Sequence, residues 1–258
     1  NNTEHAANLF GLKEFGNIYS RLGNPTVGAL EAILTALEEG AMCVALSSGT
    51  SAVMYSLINI MSQGDNFVTA NQLYGGTYTM FDNILPEYGI DSKKVDITDL
   101  AAVENAIDDK TRAIYCETIT NPGLVVADIS ALSEIAHSKG IPLIVDATFT
   151  TSAILKPFEY GADIVVYSLT KWMSGHGRVI AGAVIEKGGF DWGNGNFPLY
   201  DKPDTSYGGM RWGHDLGDLG NVAYSLRWRT VPLRNLGANM SPDTAFEVMS
   251  GLETLALR

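Results

Sequence analysis

The chain has 258 residues, 46% of them hydrophobic and 27 of them glycine, with 17 Lys and Arg against 29 Asp and Glu for a net charge of −12. That length suits one large or two small domains with a real core, and the hydrophobic fraction excludes a disordered chain. The acidic balance argues against a nucleic-acid partner, because a phosphate backbone selects clustered Lys and Arg, and no apolar run approaches the ~20 residues of a membrane-spanning helix.

In chain order, the opening NNTEHAANLF has neither a basic head nor an apolar stretch, so no signal peptide is expected. Strands are predicted at 42–47, 66–70, 94–98, 112–118, 142–147, 163–168 and 179–186, where β-branched runs are bounded by turn residues. Helices are predicted between them at 26–39, 50–62, 76–88, 99–108 and 129–139. Pro25 and Thr26 open the first and Gly40 closes it, while Asp128 caps the fifth and Gly140 ends it. From about 188 the pattern gives way to Gly, Asn, Pro and aromatic residues and reads as a long loop, with helical character returning near 214–229 and 241–258. Alternating strands and helices of this kind make a mostly parallel sheet flanked by helices, an α/β fold. Cys43 and Cys116 lie in apolar runs and read as buried thiols of a protein in a reducing, cytoplasmic compartment. The four histidines show no metal-ligand spacing, so no metal site is expected.

In an open parallel sheet, ligands bind beyond the carboxyl ends of the strands, and here those positions are unusually polar. SSGTSA follows the first strand and turns directly into a helix. Its backbone amides suit a phosphate, with Gly49 allowing close approach, although Ser and Gly are also ordinary caps at such a turn. Asp146 ends an apolar strand, where it either caps the following turn or meets a cation, an arginine or a charged ring nitrogen. Lys171 stands three residues beyond Ser168 with Thr170 beside it. A lysine there is expected to be partly desolvated, with the lowered pKa that imine chemistry needs, against the default of an exposed structural lysine. The other eight lysines (13, 93, 94, 110, 139, 156, 187, 202) read as solvated charges in polar loops or on helix faces. A phosphate cradle, a carboxylate, a lysine and an aromatic on a Gly-Gly turn (Tyr74) together match the needs of pyridoxal phosphate.

The motifs SSGTSA, LYGGTY, ETITNP, LIVDATF and GADIVVYSLTKWMSGHG, with EHAANLFGLKEFGNIYSRLGNPT, GFDWGNGNFP and SPDTAFEVMSGLETLALR, resemble in order the Cys/Met-metabolism family of pyridoxal phosphate enzymes, and within it the sulfhydrylase branch. The resemblance implies the large domain of a fold type I, aspartate aminotransferase-like transferase over 26–258, preceded by part of an N-terminal arm at 1–25. It implies that Lys171 bonds covalently to the cofactor and shuttles protons, that Asp146 partners the pyridine nitrogen, and that Tyr74 stacks on the ring and helps in proton transfer. Gly49 and Thr50 amides with Ser168 and Thr170 hydroxyls would form the phosphate cup, with Asn121 near the cofactor's phenolic oxygen. Tyr19 and Arg21 would reach a neighbouring subunit's phosphate site, implying a homodimer or homotetramer with shared active sites.

The implied reaction is γ-replacement on O-acetylhomoserine by sulfide or a thiol, giving homocysteine or methionine plus acetate. A methionine γ-lyase or cystathionine γ-synthase or lyase reaction is the alternative within the family, and a truncated, non-catalytic cofactor-binding chain is the alternative outside it. Departures from the family pattern are Ala147 in place of Asn, EEG for EGG at 38–40, and Arg178 behind Lys171. The family's smaller C-terminal domain, with its arginine for the substrate α-carboxylate, has no matching segment. Arg211, Arg227, Arg229, Arg234 and Arg258 are expected to serve surface or subunit contacts instead.

Overall fold

The computed structural model describes residues 2–11, 13–14 and 16–258. Leu12 and Phe15 of the opening motif, and Asn1, lie outside the described residues. Seven strands, β1 (Met42–Leu46), β2 (Asn66–Ala70), β3 (Asp91–Val95), β4 (Thr111–Glu117), β5 (Leu143–Asp146), β6 (Ile164–Ser168) and β7 (Gly182–Glu186), form one sheet in the order β1-β7-β6-β5-β4-β2-β3. Neighbours from β3 to β6 pair in parallel, and β7 runs antiparallel to both β6 and β1. All strands but β7 therefore deliver their carboxyl ends to the same edge. β4 is buried along its whole length and β6 along all but its last residue, as expected of apolar strands covered by helices on both faces.

Helix α1 (Thr3–Phe10), which the sequence pattern does not single out, precedes α2 (Pro25–Glu38), α3 (Gly49–Ile58), α4 (Gly75–Thr79), α5 (Leu100–Ala106) and α6 (Ile129–Ser138). Asn24 caps α2 by accepting the Thr26 amide at 3.0 Å, and Asp128 caps α6 by accepting the Ala131 amide at 3.1 Å. The left-handed residue that ends α2 is Glu39 (φ 58°) and not the expected Gly40. Gly40 is demanded by packing, since a Cβ there would lie 2.7 Å from Ile185. α3 ends four residues before its expected end, and the side chain of Asn59, the residue that follows, donates to Tyr200 Oη and the Tyr224 carbonyl at 3.0 Å each.

Four other expectations are corrected. The predicted helix 76–88 is α4 followed by a π turn (Met80–Ile84) and a 3-10 turn (Leu85–Tyr88). Pro86 lacks the amide hydrogen that a regular helix would use there. β3 lies three residues earlier than 94–98: it is a sheet edge, where Lys93 and Lys94 pair with Asp108 and Asp82 at 2.6 Å, and Asp96 closes a turn onto the Thr98 amide. The segment after 188 is a loop in path only. Trp192 stacks on both Tyr200 and Tyr224, with ring centroids 5.0 and 5.1 Å away, and its indole N–H donates to the buried Glu186 of β7. Arg227 and Arg229, read as surface or subunit contacts, instead brace the interior. Arg227 donates to the Asn59 carbonyl at 2.6 Å, and Arg229 pairs with Glu31 at 2.8 Å.

Glu38, at the end of α2, is fully buried, accepts a hydrogen bond from Tyr167 of β6 and, among the described residues, finds no partner for its second oxygen. Burial pushes its carboxyl up to about 7 from an ordinary 4.5, outweighing the bond from Tyr167. A carboxylate raised on folding contributes most below its unfolded pKa and loses that contribution as pH rises through its folded pKa. Glu38→Gln therefore gains about 2–3 kcal/mol of stability relative to the parent between about pH 4.5 and pH 8. Denaturant titrations of both proteins across that range measure the difference, and a pH-independent difference would contradict the assignment.

Candidate active site

Strand register assembles the site. Leu46, Gly182 and Ser168 align across β1, β7 and β6, and Glu117 pairs with Asp146 across β4 and β5. Beyond this edge lies an open cleft of about 500 Å³ whose walls include Gly49, Thr50, Tyr74, Asn121, Asp146, Ser168, Thr170 and Lys171. Five separate strand ends thus bring together eight of the ten residues expected from the sequence.

The first wall is the start of α3. Ser48 caps the helix by accepting the Ser51 amide at 3.0 Å, so the amides of Gly49 and Thr50, which have no intrahelical acceptor, face the cleft with the positive end of the helix dipole. Gly49 is there for contact. A Cβ at this position would stand 2.5 Å from Ser168 Cβ, and one at Gly182 would stand 2.1 Å from the Ser48 carbonyl oxygen. The capping reading of SSGTSA is met by Ser48, and the residues after it leave helix-start amides without an intrahelical acceptor. Thr170 is more committed than expected. Its hydroxyl donates to the Ala181 carbonyl at 3.1 Å and accepts the Ala181 amide at 3.0 Å.

Asp146 forms the floor. One oxygen accepts the Thr148 amide at 2.9 Å, capping the turn, and the other faces the Tyr115 hydroxyl at 3.3 Å. Among the described residues no arginine or lysine pairs with it, and desolvation holds its carboxyl above the usual carboxylate range. A partly buried carboxylate at the base of a cleft, hydrogen-bonded only to neutral donors and with no cationic partner among the described residues, fits a ligand that brings a positive charge. Thr148 also receives the Ser168 amide on its hydroxyl at 2.8 Å, locking the β5 turn to the β6 end.

Tyr74 sits at the start of α4 with its ring half exposed over the cleft. Of the Gly-Gly pair, Gly76 is the one the ring needs, since a Cβ there would lie 2.8 Å from Tyr74 Cε1, whereas Gly75 has open space around it. Lys171 is in the turn after β6 and is exposed, which corrects the expectation of partial desolvation. The cleft above it is open, and among the described residues nothing pairs with its ammonium group. Arg178 is not behind it in the cleft but pairs with Glu247 at 2.5 Å. Tyr19 and Arg21 also lie apart from the cleft. Arg21 donates to the Arg234 carbonyl, and its guanidinium stands 5.3 Å from the Tyr19 ring centroid.

The residue that sequence reasoning missed is Glu117. It ends β4, is 5% exposed, and accepts the Tyr74 amide at 2.7 Å on one oxygen and the Asn121 amide at 3.0 Å on the other. Burial, aided by the nearby Asp146, pushes its carboxyl up to about 7 against those two donors. The signal was available, because a carboxylate closing the apolar run AIYC is the same pattern that singled out Asp146. Phe149, Trp172 and Ile180 form an exposed apolar rim that was likewise not anticipated.

A cleft with helix-start amides, an uncompensated carboxylate, a free lysine and a ring-presenting tyrosine is a combination that can be compared with known proteins. The O-acetyl-L-homoserine sulfhydrylase of Leptospira meyeri is 45% identical over 99% of this chain and 59% of its own length. The homocysteine synthase of Schizosaccharomyces pombe is 44% identical over 99% of this chain and 59% of its own. This chain therefore spans about three fifths of the length of the curated relatives it matches. Among solved structures, a putative O-acetylhomoserine (thiol)-lyase of Campylobacter jejuni, determined with N'-pyridoxyl-lysine-5'-monophosphate, superposes with a TM-score of 0.94 at 40% identity, covering all of this chain and 63% of that one. The cystathionine γ-lyase of Lactobacillus plantarum superposes with a TM-score of 0.76 at 33% identity, covering 95% of this chain and 55% of that one. The model of the Cys/Met metabolism PLP-dependent enzymes matches residues 1–258, and with relatives this similar along its whole length the chain belongs to that family.

Proposed function

We propose that this chain is the cofactor-binding domain, 26–258 with part of an N-terminal arm before it, of a pyridoxal phosphate-dependent transferase that carries out γ-replacement on O-acetyl-L-homoserine. Sulfide or a thiol would replace acetate, giving homocysteine or methionine. The observation that carries the reading is the pairing of an uncompensated Asp146 with the free Lys171 across one cleft whose third wall is a helix start with two unpartnered amides. The naming of several relatives as sulfhydrylases or homocysteine synthases favours replacement over elimination.

Each residue has a physical task in this reading. Gly49 and Thr50 amides with the Ser168 hydroxyl hold the phosphate, and Thr170 joins them by exchanging its bond to Ala181. Asp146 would hold a proton on the cofactor's ring nitrogen through a charge-assisted hydrogen bond, and Tyr74 would cover the ring face. Asn121 contacts the ring's phenolic side. Lys171 Nζ would hold the cofactor covalently and, as the one amine in the cleft among the described residues, would accept and return protons at the substrate's α and β carbons. The cofactor supplies the electron sink that stabilises negative charge at those carbons. Tyr19, which is exposed, and the half-buried Arg21, both away from this chain's cleft, serve a neighbouring subunit's phosphate site, so the working form is a cytoplasmic homodimer or homotetramer.

Borohydride treatment of the protein with pyridoxal phosphate is expected to fix the cofactor to a single peptide containing Lys171, and Lys171→Ala to abolish both the label and homocysteine formation from O-acetylhomoserine and sulfide. A label on another lysine would overturn the assignment, and release of an α-keto acid from methionine without homocysteine synthesis would favour the lyase alternative. Asp146→Asn is expected to keep the label but lower kcat by about 10²-fold, read in the same assay. Gly49→Ala is expected to weaken pyridoxal phosphate binding about tenfold or more by forcing α3 away from Ser168, with Gly75→Ala binding as the parent does, both measured by cofactor titration.

A further inference from the structure

Glu117 is costly where it stands. It is nearly inaccessible, no cation touches it among the described residues, and its side chain makes no hydrogen bond to the sheet that carries it. Both of its bonds go to backbone amides of cleft-forming turns. Oε1 takes Tyr74 from the turn after β2, and Oε2 takes Asn121 from the turn after β4, residues 43 and 4 positions away in the chain. The same two turns meet a second time. The side-chain amide of Gln72 lies directly over Gly123, where a Cβ would fall 1.5 Å from its Oε1, so the two turns are in contact there as well. Strand register then places Glu117 beside Asp146, which fixes the third cofactor-facing group to the same pair of strand ends.

We propose that Glu117 is a positioning residue for the reaction: its carboxylate ties the Tyr74 turn to the Asn121 turn so that the groups over the ring face and at the ring edge are set as one unit. The assignment rests on the cofactor reading above. The geometry requires a carboxylate of this length. Glutamine has a single acceptor oxygen, and its NH₂ would oppose one of the two amide donors. Aspartate keeps the charge and both acceptors but is shorter by one methylene and spans to one turn only. Ordered donors on both oxygens are what hold a buried carboxylate in a single rotamer, and a single rotamer is what makes the link rigid.

The test is amide hydrogen exchange by mass spectrometry on the full chain loaded with pyridoxal phosphate, with peptides covering residues 71–79, 118–125, β5 and β6. In Glu117→Gln we expect exchange at the Tyr74 and Asn121 turns to quicken by about tenfold, the equivalent of one lost hydrogen bond to a charged group, with β5 and β6 unchanged. The visible circular dichroism of the bound cofactor, which reports how asymmetrically the ring is held, is expected to weaken in step. Glu117→Asp is expected to loosen one of the two turns and spare the other. Unchanged protection at both turns in Glu117→Gln, or equal loosening along β4, β5 and β6, would overturn the proposal. Failure of the cofactor reading shows separately, as absence of a borohydride-fixed label on Lys171 in the parent protein, and the label and the turn exchange are scored independently.

Discussion

The cleft exists because two stretches of backbone come closer than side chains permit. The start of α3 rests on the end of β6 at Gly49 and against the start of β7 at Gly182, with no Cβ at either contact. One side of the ligand space takes its position from this contact: the helix-start amides of α3, the Ser168 hydroxyl, and the lysine that follows in the next turn. The parallel sheet supplies the remaining walls at little cost in loop length, because β1, β2, β4, β5 and β6 end at one edge and each presents its group at the strand end or within about four residues of it.

The charge distribution follows from the same arrangement. Two carboxylates, Asp146 and Glu117, sit on adjacent strand ends, and both are held above their usual range by loss of water. One is satisfied by backbone amides of its own chain. The other has only a hydroxyl and a single amide, and it is this inequality that makes the floor of the cleft receptive to a cation while its roof of helix-start amides is receptive to an anion. A ligand carrying both charges, one at each end, is oriented by the site before any covalent bond is made.

Much of this was legible in the sequence. Buried strands announce themselves as apolar runs, so β1, β2, β4, β5 and β6 were placed to within a residue or so, and the rule that ligands gather beyond strand ends led to Asp146, Ser168, Thr170 and Lys171. What stayed hidden was governed by tertiary contact. The edge strand β3 carries lysines whose partners come from distant turns, so its pattern did not look like a strand. The aromatic residues after 188 have no period because they fill a pocket on one side of β7, with Trp192 held between two tyrosines. The exposure of Lys171 depends on how open the cleft is, which no local pattern encodes. Tyr19 and Arg21 entered through family resemblance alone, and a single chain gives them nothing to do at its own cleft.

Thr170 adds a consequence of a different kind. Its hydroxyl hydrogen is already spent on the carbonyl of Ala181, the residue just before β7, while its oxygen receives that residue's amide. An anion that drew this hydrogen toward itself would unfasten one of the three hydrogen bonds, the Thr170 amide to the Ala181 carbonyl being the third, that stitch the turn after β6 to the beginning of β7. Filling the site and tethering that strand thus compete for a single proton, so that occupancy of the cleft is felt in the scaffold beneath it as a change in how firmly β7 begins.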